Sequence, residues 1–364
     1  MKVDFLIPVG ERGGVEKVVN RTAVYLQRNG WSVRVVQFVW EGASWLDEEI
    51  AFYPLIRGRE GHDLQELAGA CADFWDEQEL PDVILAVAWP YVSYIAKQAL
   101  WLYGSRRQQE VFRPVVSRLG AEVGEYERAG FGGMEALGFA DAHFCISDRI
   151  ADDVRKGTGC PRVFRVYNPV VMQDGEASDT AFYDSGSLRL LYLGRLSAEK
   201  HPETILEALA GEGCASWSLD VVGDGEEGFK QELKKKAKQL DLFDRIRWHG
   251  WKDQPWTAVD HISALVLASE YEGFPSVAVE ALARGIPVIA PPLSGITDIV
   301  VPGTTGYLFR VGHAEELAKI LSFWSSGLLP AIGEDACKEA AAPYRYEVAL
   351  GDFAKKLAAC AELG

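Results

Sequence analysis

Short apolar runs alternate with amphipathic stretches along this sequence, and the alternation predicts strands and helices in turn. Each apolar run ends in a polar or Gly-rich turn that leads into a helical pattern, which is typical of parallel sheets covered by helices. In the first half, strands are predicted at 3–9, 31–39, 82–88, 113–119, 141–147 and 162–167. Helices are predicted there at 15–28, 62–78, 90–103 and 148–157.

The alternation restarts after a polar stretch rich in Gly and Ser. In the second half, strands are predicted at 188–194, 217–225, 245–251, 262–269, 286–290 and 306–309, and helices at 202–210, 226–240, 275–285 and 313–325. We therefore expect an α/β fold with two Rossmann-like domains that face each other across a cleft. The predicted boundaries are 1–170 for the first domain, 171–187 for a linker, 188–345 for the second domain and 346–364 for a C-terminal helix. That helix follows both domains, and packing back on the first is one of its two options.

Composition narrows the function classes. Hydrophobic residues make up 48% of the chain and charged residues 25%, the profile of a globular protein. The formal net charge of −16 argues against a nucleic-acid partner, because phosphate backbones repel an acidic surface. The six cysteines are scattered without CxxC pairing, and no secretory signal or long apolar run stands out. We therefore predict reduced thiols and a cytoplasmic location.

Two carboxylates, Glu272 and Glu280, flank the predicted start of a helix that follows a buried strand. The amides of 273–277 would be donors at the N-terminus of that helix, where doubly wound sheets bind anionic ligands. Glu280 lies about one turn into the helix, where a carboxylate can accept hydrogen bonds from vicinal hydroxyls of a sugar. Taken alone, each carboxylate is also compatible with a solvated loop or helix face.

Two cations follow the first strand of the second domain. Arg195 and Lys200 in the segment GRLSAEK can hold a diphosphate, since Arg offers a bidentate fork and Lys a mobile charge. An exposed basic turn is the alternative for these residues alone. In the first domain, the Gly-rich turn at 10–14 has the geometry of a phosphate cradle but lacks the dinucleotide fingerprint, so a dehydrogenase is disfavoured.

In order and spacing, these motifs resemble those of retaining GT-B glycosyltransferases of family 4, the glycosyltransferase group 1 proteins. The motifs that carry the resemblance are GRLSAEK, VVGDG, WHGW and EGFPSVAVEALARGIPVIA, with GGVEKVV and VYNPV in the first domain. YNPV, GWKDQPW and EGFPSVAVEA are most similar to the lipopolysaccharide-core galactosyltransferases that use UDP-galactose. The resemblance implies a metal-independent hexosyltransferase that moves galactose or glucose from a UDP-sugar to a cell-surface glycan, such as lipopolysaccharide core or an exopolysaccharide precursor. No cofactor is expected.

The resemblance also implies roles for individual residues. It gives catalytic roles to Arg195, Lys200 and Glu272. It gives donor-binding roles to Gly13, Gly14, Gly223, Gly250, Trp251, Gly273, Phe274, Pro275, Ser276, Val277 and Glu280. No DxD metal signature stands out, so no metal ligand is assigned.

The first domain departs from the family pattern. Many members carry a His near the donor sugar after the strand that corresponds to 113–119, and this chain has none there. Arg118 and Glu122 are the residues that we expect in that space, with the acceptor nearby. The departure keeps an inactive glycan-binding scaffold open as an alternative. A nucleotide-sugar epimerase is the other alternative, since that chemistry also uses two facing Rossmann-like domains. A lipid-linked oligosaccharide acceptor would bring the protein to the inner face of the cell membrane as a peripheral protein.

Overall fold

A computed structural model divides the chain into two compact units. Unit 1 consists of Met1–Pro169 with Tyr346–Gly364, and unit 2 of Val170–Arg345. The structure describes residues 1–9, 14–40, 42, 45–58, 62–171, 188–272 and 274–363. Most of the predicted linker therefore lies outside the described residues. Each unit has its own sheet, and both sheets are parallel wherever their strands pair.

The described strands of unit 1 form a seven-stranded sheet. They are β1 (Lys2–Val9), β2 (Ser32–Trp40), β3 (Ala51–Arg57), β4 (Val83–Val87), β5 (Val115–Leu119), β6 (Ala142–Cys145) and β7 (Val163–Arg165). Their order is β3-β2-β1-β4-β5-β6-β7, the doubly wound order in which the chain reverses direction between β1 and β4. β4 and β5 are buried at every position, because helices cover both faces of a parallel sheet.

The helices of unit 1 lie between these strands. They are α1 (Gly14–Arg28), α2 (Leu64–Glu77), α3 (Tyr91–Arg107), α4 (Val123–Arg128), α5 (Met134–Leu137) and α6 (Asp148–Thr158). α2 and α3 bury their apolar residues in one cluster with β1, β2 and β4, which contains the fully buried Trp75. The indole of Trp75 donates to Asp4, and that carboxylate also accepts two hydrogen bonds from the guanidinium of Arg34.

One strand of unit 1 was absent from the sequence prediction. β3 pairs only with β2, so it is an edge strand, and its residues are exposed or half-buried. Pro54 lies at its centre, and proline cannot donate a ladder hydrogen bond, so strands that contain it are confined to sheet edges. The apolar-run criterion finds strands covered on both faces and therefore missed this one.

The described strands of unit 2 form a second parallel sheet, of six strands. They are β8 (Leu188–Leu193), β9 (Trp217–Val222), β10 (Ile246–Gly250), β11 (Ala264–Val266), β12 (Val288–Ala290) and β13 (Gly306–Leu308). Their order, β10-β9-β8-β11-β12-β13, again reverses direction between the first strand and the fourth. β11 is shorter than the predicted strand at 262–269, and the remainder of that run is loop.

The helices of unit 2 are α7 (Pro202–Leu209), α8 (Glu227–Gln239), α9 (Ser276–Ala283), α10 (Ala314–Ser325) and α11 (Glu334–Ala341). Short 3₁₀ helices lie at Ala198–Lys200, Phe243–Arg245, Pro255–Ala258 and Ala342–Tyr344. α9 begins where Pro275 predicts it, and Gly285, with φ of +78°, ends its last turn. Among the described residues, no helix is both long enough and apolar enough to cross a membrane.

The last helix, α12 (Tyr346–Ala361), belongs to unit 1. The ring of Phe353 packs edge-on against Phe144 of β6, with 5.0 Å between centroids. The hydroxyl of Tyr346 donates to the carbonyl of Arg21 at 3.2 Å. The predicted α/β fold with two Rossmann-like domains is confirmed, and so is the return of the C-terminal helix to the first domain.

His143 makes the stability of unit 1 dependent on pH. Burial in β6 lowers the pKa of His143 to about 4, and its Nδ1 lies 2.7 Å from the hydroxyl of Ser117. As the pH falls below about 6.5, the unfolded chain protonates this imidazole while the folded chain does not. We expect this residue to lower the free energy of unfolding by about 1.4 kcal/mol per pH unit between those two pKa values.

The measurement is urea unfolding from pH 7 to pH 4.5 for the wild type and His143→Asn. The variant should lose less stability over this range, whereas His261→Asn, at an exposed histidine, should follow the wild type. Equal pH slopes for the wild type and His143→Asn would contradict the prediction.

Candidate active site

Lys200 and Glu272 meet at the carboxyl ends of two neighbouring strands of unit 2. Lys200 follows β8 and Glu272 follows β11, and these strands lie side by side where the order of the sheet reverses. Nζ of Lys200 lies 2.8 Å from Oε1 of Glu272. The sequence predicted that both residues belong to one site, and the structure brings them into direct contact. Ligands of open α/β sheets bind at this switch point.

The carboxylate of Glu272 is held from two sides. Besides Lys200, the hydroxyl of Ser269 donates to Oε1 at 2.6 Å, and Ser269 is buried. A backbone bond from the amide of Glu270 to the carbonyl of Glu199, at 3.0 Å, joins the two loops that carry the ion pair. The side chains of Lys200 and Glu272 are 25% and 14% exposed, so both reach the surface of unit 2 while remaining oriented.

Arg195 lies on the same edge but is held through its backbone. The hydroxyl of Tyr192 donates to the carbonyl of Arg195 at 2.5 Å. Burial raises the pKa of Tyr192, and the nearby charge of Glu272 raises it further, so the hydroxyl keeps its proton. The side chain of Arg195 is exposed and forms no ion pair or hydrogen bond within the part of the chain that the structure describes. Its guanidinium is therefore available to an anion.

Glu280 lies one turn into α9, as predicted, and its carboxylate is oriented by a residue that the sequence did not single out. The indole Nε1 of Trp256 donates to Oε2 of Glu280 at 2.7 Å. Arg284 completes the cluster: its guanidinium lies 4.5 Å from the centre of the Trp256 ring and donates to the backbone carbonyl of Glu280 at 2.9 Å. Burial lowers the pKa of Arg284. The motif GWKDQPW contained Trp256, but its contact with Glu280 could not be read from spacing.

The start of α9 differs in one detail from expectation. The prediction that the amides from 273 to 277 are unpaired is wrong for Ser276, whose amide donates to the carbonyl of Phe274 at 2.9 Å. Pro275 has no amide hydrogen, which leaves Phe274 and Val277 as the described residues able to supply donors. The ring of Phe274 packs against Tyr344, with 5.5 Å between centroids. Gly273 lies outside the described residues.

The two predicted glycines at the ends of β9 and β10 have different surroundings. A Cβ on Gly223 would lie 1.8 Å from the carbonyl oxygen of Gly194, so this position requires glycine for packing. Gly250 has a φ of +68°, and its carbonyl accepts from the amide of Gly223 at 2.9 Å. Trp251 follows directly and is 64% exposed. An exposed indole at the end of a parallel strand offers a flat apolar surface for a planar ligand.

The remaining predicted residues belong to unit 1. Gly13 lies outside the described residues, and Gly14 is the first residue of α1, where an added Cβ would meet no described atom within 4 Å. Arg118 is buried at the end of β5 and donates to the side chain of Asn168. Glu122 is turned towards Arg149, with 3.2 Å between Oε1 and Nε. Unit 1 thus contains both candidates for the space of the missing His.

The six cysteines are free thiols, and five of them are buried. Burial raises the pKa of Cys145 to about 12, so this thiol is unreactive at neutral pH. Within the described ranges, no group of three or more His, Cys, Asp or Glu side chains could hold a metal ion.

Residues 179–331 match the family model described as "Glycosyl transferases group 1". This segment contains the Lys200–Glu272 pair, Arg195 and Glu280. The chain therefore carries a glycosyltransferase group 1 domain.

Two curated relatives are similar to this glycosyltransferase beyond that domain. The lipopolysaccharide 1,6-galactosyltransferase of Escherichia coli (strain K12) is 28% identical over 70% of this chain and 68% of its own length. The enzyme of the same name from Salmonella typhimurium (strain LT2) is 30% identical over 53% of this chain and 55% of its own length. The match confirms the predicted glycosyltransferase group 1 domain, and with these relatives it confirms the predicted enzyme class, a hexosyltransferase.

Solved structures show that the fold is GT-B. The apo form of the lipopolysaccharide outer core galactosyltransferase WaaB has a TM-score of 0.83 and 21% identity, with 99% of both chains covered. Anabaena Alr3699/HepE in complex with UDP has a TM-score of 0.74 and 18% identity, over 99% of this chain and 100% of that one. At these identities, the likeness concerns the fold.

Gly223 provides a test of how the site is assembled. We expect Gly223→Ala to lower the stability of unit 2 by about 1–3 kcal/mol, because its Cβ would collide with the backbone of Gly194. Thermal unfolding followed by circular dichroism measures the loss. Gly228→Ala is the matched control, since a Cβ there meets no described atom within 4 Å in the first turn of α8. Equal effects of the two substitutions would contradict the packing role of Gly223.

Proposed function

We propose that this glycosyltransferase moves a hexose, galactose or glucose, from a UDP-sugar to a glycan of the lipopolysaccharide core or an exopolysaccharide precursor. The observation that carries the proposal is the contact of Lys200 with Glu272 at the switch point of unit 2, with Arg195 on the same edge. The names of the two curated relatives support lipopolysaccharide and galactose, and the UDP complex of HepE supports UDP.

In this proposal, the donor lies along the carboxyl edge of the sheet of unit 2. Glu280 accepts hydrogen bonds from the ribose hydroxyls, since Trp256 already orients its carboxylate. Trp251 and Gly250 lie beside the nucleobase, with the exposed indole as a stacking surface. The amides at the start of α9 and the turn at Gly223 approach the sugar and the phosphates. The roles in phosphate binding that the resemblance implies for Gly13 and Gly14 stay predictions.

In this proposal, Arg195 and Lys200 stabilise the leaving group. Breaking the bond between the sugar and the diphosphate builds negative charge on the leaving oxygen, which fixed cations stabilise in the transition state. Arg195 is available for this role, whereas Lys200 is shared with Glu272. A bound diphosphate would draw Lys200 towards it, and Glu272 would then accept hydrogen bonds from hydroxyls of the transferred sugar. When the donor binds, Lys200 thus exchanges Glu272 for the diphosphate, and Glu272 exchanges Lys200 for the sugar hydroxyls.

We propose that transfer retains the anomeric configuration, as the resemblance implies. It needs no metal, because Arg195 and Lys200 already provide the positive charge at the leaving group. The acceptor hydroxyl attacks on the face that the diphosphate leaves, and its proton passes to an oxygen of the departing diphosphate. No side chain is assigned as a nucleophile. The acceptor belongs to unit 1, near Arg118 and Glu122. A cytoplasmic location, with peripheral contact at the inner face of the cell membrane for a lipid-linked acceptor, completes the proposal.

The first test is calorimetric titration of the protein with UDP, GDP and ADP, with and without EDTA. We expect selective binding of UDP that EDTA does not change. Glu280→Ala and Arg195→Ala should each weaken UDP binding by about tenfold or more, because a hydrogen bond to a charged group contributes roughly 1.5–3 kcal/mol. Hydrolysis of UDP-galactose and UDP-glucose, with the product anomer assigned by NMR, then tests the sugar and retention.

Absence of binding by all three nucleotides would overturn the proposed function. Loss of UDP binding in EDTA would overturn the metal-free site alone. Arg155→Ala serves as the control, because Arg155 is exposed on α6 of unit 1 and is paired with Asp152.

Trp256 is a positioning residue in this proposal. Trp256→Phe keeps a ring under Arg284 but removes the donor that orients Glu280, so discrimination between UDP and 2′-deoxy-UDP should fall by about tenfold. The ratio of the two dissociation constants measures it. Trp101→Phe, at an exposed indole of unit 1, should leave the ratio unchanged. An unchanged ratio in Trp256→Phe would show that this indole does not orient the ribose ligand.

A further inference from the structure

The guanidinium of Arg118 is buried in neutral surroundings at the carboxyl edge of unit 1. Arg118 is 5% exposed and lies next to the last residue of β5. Its Nη2 donates to Oδ1 of Asn168, which is 7% exposed and uncharged. Among the described residues, no carboxylate forms an ion pair with Arg118.

The first carboxylate after Arg118 along the chain has another partner. Glu122 follows in the same loop, but its Oε1 lies 3.2 Å from Nε of Arg149. The hydroxyl of Tyr126 accepts from the amide of Gly120 at 3.1 Å, so the loop after β5 is held by its own hydrogen bonds. The loop therefore keeps its conformation without a hydrogen bond from Arg118, and the burial of this guanidinium needs another explanation.

Arg34 is the other buried arginine among the described residues of unit 1, and it is paired with a carboxylate. Arg34 is 6% exposed, and both its Nε and its Nη2 donate to the carboxylate of Asp4, at 2.6 and 2.7 Å. A buried charge is costly unless it is paired in this way. Burial lowers the pKa of Arg118 to about 10, which still leaves the guanidinium protonated at neutral pH. Among the described residues, Arg118 is thus a buried positive charge without a carboxylate partner.

We propose that Arg118 and Asn168 form an anion-binding site in unit 1 that takes a phosphate group. A guanidinium presents N–H groups in a planar fork that matches two phosphate oxygens, and Asn168 adds an amide donor beside it. The site lies at the carboxyl ends of parallel strands, where doubly wound sheets bind phosphorylated ligands. Its phosphate comes from a phosphorylated acceptor glycan or from the diphosphate of the donor. That biological source rests on the proposed function, whereas binding of phosphate itself does not.

Thermal unfolding with increasing inorganic phosphate, at constant ionic strength, tests the site on the whole chain. Arg118→Gln should weaken phosphate binding at least tenfold. Asn168→Asp is the sharper variant, because it puts a carboxylate in place of the amide that Arg118 now contacts. It should weaken phosphate binding equally while the protein without phosphate unfolds at the same or a higher temperature, since the buried charge is then compensated.

Two further variants separate this site from others. Arg155→Gln removes an arginine of unit 1 that is already paired with Asp152, and it should bind phosphate as the wild type does. Arg195→Gln removes a cation of unit 2. It should keep the phosphate binding that Arg118→Gln loses. Folded Asn168→Asp with unchanged phosphate affinity would overturn the site, even if Arg118→Gln fails to fold.

The source of the phosphate follows from two measurements on Arg118→Gln. A raised dissociation constant for UDP assigns the site to the donor. A raised KM for a phosphorylated glycan, but not for the same glycan after phosphatase treatment, assigns it to the acceptor. No change in either overturns its assignment to the transfer reaction. Failure of UDP to bind the wild type would sink the proposed function, yet the phosphate titration would still decide the anion site.

Discussion

The site in unit 2 depends on how closely two backbone segments approach each other beyond the ends of β8 and β9. A Cβ on Gly223 or Gly225 would lie 1.8 or 2.0 Å from the carbonyl oxygens of Gly194 and Leu196. The two segments are joined by the amide of Leu196, which donates to the carbonyl of Asp224 at 2.9 Å. Arg195 lies between those two carbonyls. The glycines of the VVGDG turn therefore help to fix the position of Arg195, which belongs to another loop.

Positively charged side chains lie at the carboxyl edge of the sheet in each unit. The chain carries 53 acidic residues against 37 Lys and Arg, so its net charge is negative. Within the described part of the chain, Arg195 and Arg118 form no ion pair, one being exposed and the other buried. Lys200 has a carboxylate partner, but that partner is itself a candidate ligand of the sugar. These side chains lie where parallel strands end, which is where anionic ligands bind.

The sequence predicted most of the fold because buried parallel strands are continuous apolar runs, and the matching ends of such strands share one edge. This reasoning put Arg195, Lys200 and Glu272 after predicted strands, and the resemblance joined them in one site although Lys200 and Glu272 are 72 residues apart. It could not find β3, whose central Pro54 and half-exposed residues resemble a loop. The contact of Trp256 with Glu280 was equally hidden, because a short 3₁₀ helix has no periodic pattern that would aim an indole at a carboxylate. Burial of Arg118 beside Asn168 depends on packing that residue types alone do not specify.

The return of α12 to unit 1 has a consequence for how the chain is completed during synthesis. Unit 1 is discontinuous, and Phe353 and Leu357 of its last helix are buried residues of a unit that otherwise ends at Pro169. All of unit 2 is translated before these side chains leave the ribosome, so unit 2 has its whole sequence available first. The part of unit 1 that α12 covers therefore stays uncovered until Tyr346–Ala361 has emerged. A nascent chain stalled before Tyr346 would therefore expose apolar surface of unit 1. A chaperone that binds apolar surface would bind the stalled chain at this place.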